Sequence, residues 1–135
     1  MEDKEKLGQK ALRYRWVVLG TMWLVYFFVY FDRVAPAVVA PEIMKTWEIS
    51  ATALGVLSAA YFYPYAAMQI PSGVLADFLG PRMAVTIFFI IAGIGTALFG
   101  MAPSFEWAIA GRVMMGVGVA VVYIPIMKIQ AQWFR

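Results

Sequence analysis

GVLADFLGPR, residues 73–82, decides how the chain folds. It holds two charges, Asp77 and Arg82, and between them Gly80 and Pro81, the residues of a tight turn. On both sides the chain becomes apolar. Residues 52–76 carry no charge, and neither do residues 83–102. A hydrocarbon core of about 30 Å needs roughly 20 apolar residues as helix. The decapeptide therefore joins two membrane-crossing helices.

The same count, carried outward, finds two more spans. One covers about 16–40 and is interrupted by Asp32 and Arg33; the other covers about 107–129 and contains Arg112. Residues 41–50, with Glu42, Lys45 and Glu48, read as a polar loop, and 102–106, with Pro103 and Ser104, as a short one. The runs are apolar all round and too long for barrel strands of about 10 residues, so they read as helices. The expected fold is all-α and integral to the membrane, with four transmembrane helices in one domain, 1–135, and a cytoplasmic tail over 1–15.

Composition agrees. The chain has 135 residues, 63% of them hydrophobic and 14% charged; ordinary globular proteins average about 45–50% and about 25%. Eight of the charged residues fall within the first 15: Glu2, Asp3, Lys4, Glu5, Lys6, Lys10, Arg13 and Arg15. Cysteine and histidine are absent. Disulfides, thiolate metal sites and the usual general base are thereby excluded, and an enzyme would lack its chemistry. No cofactor is expected. A net charge of +3, with the basic residues at a membrane flank, does not suggest nucleic acid. The mixed charges of the start and the long apolar run behind them do not suit a cleavable signal peptide.

Lysine and arginine set the orientation. Five lie in the N-terminal segment, Arg82 in the second connector, and Lys128 and Arg135 at the far end; the first connector has only Lys45 and the third none. Both termini are expected in the cytoplasm. Trp16, Trp47, Trp107 and Trp133 sit near span ends, where interfacial aromatics belong.

Asp32, Arg33 and Arg112 are costly, since a charge in mid-membrane costs at least about 2.5–3.5 kcal/mol. Asp32 lies about 24 Å beyond Trp16, and Arg112 about 8 Å beyond Trp107 from the other side, at 1.5 Å per residue. The distances together match the core thickness, so the three residues are expected at one level. Pro36 cannot donate to the carbonyl of Asp32 and should kink the first helix there. Tyr26, Tyr30, Arg33 and Ala37 share one helix face, and Tyr61, Tyr65, Gln69 and Ser72 form a matching stripe on the second span. Pro64 and Pro71 break that helix's ladder. Such stripes suit a cavity lining; the alternatives are an Asp–Arg pair that only pins helices and tyrosines that only pack. Lys128 reads as a snorkelling anchor. Ala92, Thr96 and Gly100, and Gly111, Gly116, Gly118 and Ala120, mark close helix contacts. Gly93-Ile94-Gly95 and Gly116-Val117-Gly118 lie inside apolar spans and follow no strand, so they are not nucleotide loops.

The quoted stretch resembles the loop between the second and third helices of major facilitator superfamily transporters, G-x-L-A-D-x-x-G-x-[K/R]. It matches at Gly73, Leu75, Ala76, Asp77, Gly80 and Arg82, and departs at Phe78 and Pro81. Arg112, Gly116 and Gly118 are similar to the R-x-x-x-G-x-G of that family's fourth helix, and Gln132-Trp133-Phe134 to the W-F that follows it. Tyr30-Phe31-Asp32-Arg33 resembles the Y-x-D-R of anion:cation symporters and sugar-phosphate permeases.

The resemblance implies a secondary active transporter of a small organic anion. Arg33, Arg112, Tyr30, Tyr61, Tyr65 and Gln69 would bind the solute. Asp32 would exchange the coupling ion, a proton. Gly73, Asp77, Gly80 and Arg82 would hold the inner gate, Asp77 also capping the following helix; the same residues also suit a simple topogenic turn. Organic-anion members often carry an acid where this chain has Val119, which leaves coupling to Asp32 or to residues beyond Arg135. The family has twelve helices in two halves, so the chain is expected to be the N-terminal part of a transporter in the cell membrane, partnered by the lipid bilayer and the rest of that protein. The alternative is a non-transporting four-helix scaffold or assembly protein.

Overall fold

The computed structural model describes the backbone of residues 2–133 and the side chains of residues 13–131. Phe134 and Arg135, and the side chains of the charged N-terminal residues up to Lys10 and of Trp133, lie outside what is described. Five helices follow one another: α1 (Glu2–Val38), α2 (Ala40–Thr46), α3 (Ala51–Leu79), α4 (Pro81–Gly100) and α5 (Phe105–Trp133).

The all-α fold is as expected, with one helix besides the four expected spans. The additional helix is α2, in the stretch read as a polar loop. Its charges, Glu42 in the first turn and Lys45 in the last, favour a helix by complementing its dipole. Its apolar residue Ile43 is buried with Leu57 and Ala108, and Trp47 meets the Phe105 ring edge-on at 6.3 Å. A short amphipathic helix thus seals one end of the bundle.

Among the described residues, three helical segments are long and apolar enough to cross a membrane: Arg13–Val38, Pro81–Gly100 and Phe105–Ala131. The expected second span forms as α3, but α3 is not among them. Its length suffices, since 29 residues rise about 44 Å. Ser58, Tyr61, Tyr63, Tyr65, Gln69 and Ser72, with Pro64 and Pro71, dilute its hydropathy. The polar stripe that points to a cavity is what lowers the helix's apolar character.

Of the connector expected over 77–82, only Gly80 stands outside a helix: α3 runs on to Leu79 and α4 begins at Pro81. Gly80 ends α3 and caps α4 at φ 77°, a left-handed angle that costs glycine little. Pro81 follows in the first turn of α4, where a missing N–H leaves no bond unmade. Ser50 caps α3 by accepting from the Ala53 amide at 3.2 Å.

α5 is the central helix. Of its apolar span 61% is buried, against 6% for that of α1. Alternate glycines explain the close approach. A Cβ on Gly118 would lie 2.6 Å from the Ala92 amide and the Phe88 carbonyl of α4. A Cβ on Gly116 would overlap the Tyr61 carbonyl of α3. Gly111 and Gly95 face each other in the same manner. The G-x-G pair thus seats α5 against two neighbours at once. The contact expected at Gly100 is not made, because nothing among the described residues lies within 4 Å of a Cβ there. α1 joins through Val25, buried with Val122 and Ile126 of α5.

Candidate functional site

Of the three costly charges, Asp32 and Arg112 meet, through a bond other than the one their charges suggest, while Arg33 lies against Phe62. Arg112 is 2% exposed. Its Nη1 donates to the backbone carbonyl of Asp32 at 3.2 Å. That carbonyl is available because the residue four places on is Pro36, which has no N–H to close the helical bond. Proline and arginine thus act together: one opens the ladder of α1, and the other fills the opening from α5. The guanidinium carbon lies 4.6 Å from the centre of the Tyr61 ring and 5.8 Å from that of Phe99. Two aromatic faces therefore supply part of the charge stabilisation that water would give. Its Nε is buried without a hydrogen-bond partner.

The Asp32 carboxylate is held from α4. Thr96 Oγ1 lies 2.8 Å from Asp32 Oδ2 and 3.0 Å from the carbonyl of Ala92. The sequence marks Thr96 only as a small packing residue. The available signal was its hydroxyl, within an otherwise apolar stretch at the depth of Asp32.

Beside this cluster lies a cavity of about 310 Å³, lined on α1 by Tyr26, Tyr30 and Arg33, on α3 by Tyr61 and Tyr65, and on α5 by Val119 and Tyr123 among others. Arg33 places its guanidinium 5.1 Å from the Phe62 ring centre. Tyr61 and Tyr65 stack with ring centres 6.0 Å apart and planes 9° apart, as residues one helical turn from each other can. Tyr26 lies 5.6 Å from Tyr30 and 6.5 Å from Tyr123. Tyr123 escaped the sequence reading, although it stands eleven residues past Arg112, three turns along the same face.

Four of the expected solute ligands, Tyr30, Arg33, Tyr61 and Tyr65, share this cavity. Two do not line it. Arg112 is enclosed behind it, and Gln69 lies further along α3, where its carbonyl accepts from Ser72 Oγ at 2.7 Å.

At the other end of the bundle, Asp77 forms an ion pair with Lys128 of α5. Asp77 does not cap α4, a place taken by Gly80 without any side-chain bond. Lys128, expected to be a lipid anchor, is instead the ion-pair partner of this aspartate in the last turn of α3. Arg82 is exposed, and no ion pair to it is formed among the described residues. Around Gly73 nothing among the described residues lies within 4 Å of a Cβ, so the close approach expected there is not made within this chain. No group of three or more acidic side chains that could hold a metal occurs among the described residues.

Comparison with known proteins agrees with this architecture. The family model of the Major Facilitator Superfamily matches residues 22–135. The chain is 37% identical over 110 residues to a protein of Cupriavidus necator named as a probable sulfoacetate transporter, covering 82% of this chain and 26% of that one. It is 31% identical over 110 residues to a membrane sensor protein of Escherichia coli, covering 82% and 25%. It is 29% identical over 132 residues to a probable galactarate/D-glucarate transporter of Escherichia coli, covering 93% and 30%. No solved structure matches the chain. The chain belongs to the Major Facilitator Superfamily. It spans between a quarter and a third of the length of these relatives.

Proposed function

We propose that the chain supplies the first membrane helices of a secondary active transporter that moves a small organic anion, coupled to protons, across the cell membrane. In this reading α3 also crosses the membrane, as the second of four spans, its polar stripe turned to the cavity, and both termini lie in the cytoplasm. The observation that carries the proposal is Arg33 in a tyrosine-lined cavity beside the buried Asp32–Arg112 contact. Sulfoacetate and galactarate or glucarate, in the names of two relatives, are organic anions and support the substrate class.

Each group has a physical part. Arg33 meets the anion with a charge-assisted, two-pronged donor, and the tyrosine hydroxyls bond to its polar substituents. Arg112 adds positive potential from behind the wall and fixes α1 by its backbone. Asp32 takes up and releases the proton. Its charge state alters the field on both arginines, and rocking of the halves exposes the site to alternate sides. The pair Asp77–Lys128 closes the cytoplasmic end in the outward-facing state.

Replacing Asp32 with Asn in the full-length protein is expected to abolish proton-driven uptake while solute exchange continues. Uptake that still follows the proton gradient would remove Asp32 from coupling. The relative named as a membrane sensor favours one second reading, solute binding without net movement. Anion binding to the purified protein with no uptake into proteoliposomes would select it.

A further inference from the structure

We infer that Thr96 is a hydrogen-bond switch that serves both protonation states of Asp32. The inference rests on the proposed coupling role of Asp32 and adds a positioning residue on another helix. A threonine hydroxyl has one hydrogen and two lone pairs. Thr96 Oγ1 has two oxygens within reach, Asp32 Oδ2 at 2.8 Å and the Ala92 carbonyl at 3.0 Å. One hydrogen cannot serve both. With Asp32 charged, it points to the carboxylate in a charge-assisted bond. With Asp32 protonated, the carboxyl O–H donates to Thr96 Oγ1, and the threonine hydrogen turns to the Ala92 carbonyl. That carbonyl lies one turn back on the same helix, where such a bond is ordinary. Rotation about a single side-chain bond therefore keeps Thr96 Oγ1 and Asp32 Oδ2 bonded to each other before and after the proton arrives. An unmade bond at this depth would be costly.

The surroundings leave this task to Thr96. Arg112, from α5, bonds to the backbone oxygen of Asp32. Tyr61, from α3, lies over Arg112. Arg33, the neighbour on α1, points to Phe62 and lines the cavity. From α4, no charged residue stands near this level; Arg82, at the start of that helix, is its only one. α1 is otherwise lightly packed, so the Thr96 bond also ties it to the bundle, more strongly when Asp32 is charged.

The test is an infrared pH titration of the purified full-length protein, with the protonated carboxyl band of Asp32 identified by its loss in Asp32→Asn. Thr96→Val keeps the shape and removes the hydroxyl. It should move the midpoint of that band up by about one pH unit, because the charged form loses its donor. The band should also move to higher wavenumber, because the carboxyl no longer donates to Thr96. Thr96→Ala should do the same, and Thr96→Ser should restore both values. A midpoint and wavenumber unchanged in Thr96→Val and Thr96→Ala would overturn the switch and leave the role of Asp32 standing. If no titrating band is lost in Asp32→Asn, Asp32 does not exchange protons, and the coupling role fails together with the switch.

Discussion

Gly116 and Gly118 show how one residue type does two jobs two places apart. Successive positions on a helix are rotated by 100°, so two positions differ by about 200° and face different neighbours. Gly116 takes α3 and Gly118 takes α4. Gly116→Ala and Gly118→Ala are each expected to lower the thermal stability of the protein, by the about 1–3 kcal/mol typical of overpacking. Gly93→Ala, where a Cβ meets open space, should leave stability unchanged or raise it slightly. Equal melting temperatures for all three variants would contradict the packing. Arg112 makes a second residue-scale prediction. As it is enclosed, Arg112→Ala should lower folded yield and melting temperature along with transport, because it leaves the Asp32 carbonyl unpartnered and opens a void. A variant as stable as the parent, with only solute affinity lost, would show that Arg112 contacts the solute directly.

The helices carry the next level of the account. The ion pair of Asp77 with Lys128 joins the last turn of α3 to the C-terminal part of α5, with the Asp77 side chain 72% exposed. An exposed pair adds at most about 1 kcal/mol to stability. Its loss should therefore act on the balance of conformations rather than on folding. Asp77→Lys or Lys128→Asp alone is expected to reduce transport severalfold at unchanged melting temperature, and the two together to restore much of it. Failure of the double exchange to recover any activity would separate the pair from gating. How much of each element was legible depends on the kind of signal. The α3–α4 turn was, because glycine and proline act through their own backbones. The depth match of Asp32 and Arg112 was, because helical rise is constant. α2 was not: a seven-residue helix is held by where Ile43 is buried, and its charges read equally well as loop. The bond from Arg112 was only half legible. Pro36 announces a free carbonyl, but which side chain fills it depends on the approach of α5. Thr96 and Tyr123 became site residues only once α4 and α5 were placed against α1.

At the scale of the whole molecule, α5 forms the axis, α3 and α4 pack on it, and α1 lies on the outside with most of its aromatic surface open. The cavity lies between α1, α3 and α5. The proposed role of Arg33 is to hold the anion in this cavity. It is tested most directly by equilibrium binding of a labelled organic anion substrate to the purified full-length protein, comparing the parent with Arg33→Ala. Loss of a charge-assisted bond should weaken affinity by roughly 10- to 100-fold, with little change in melting temperature because the side chain is exposed. Affinity retained in Arg33→Ala would contradict the account.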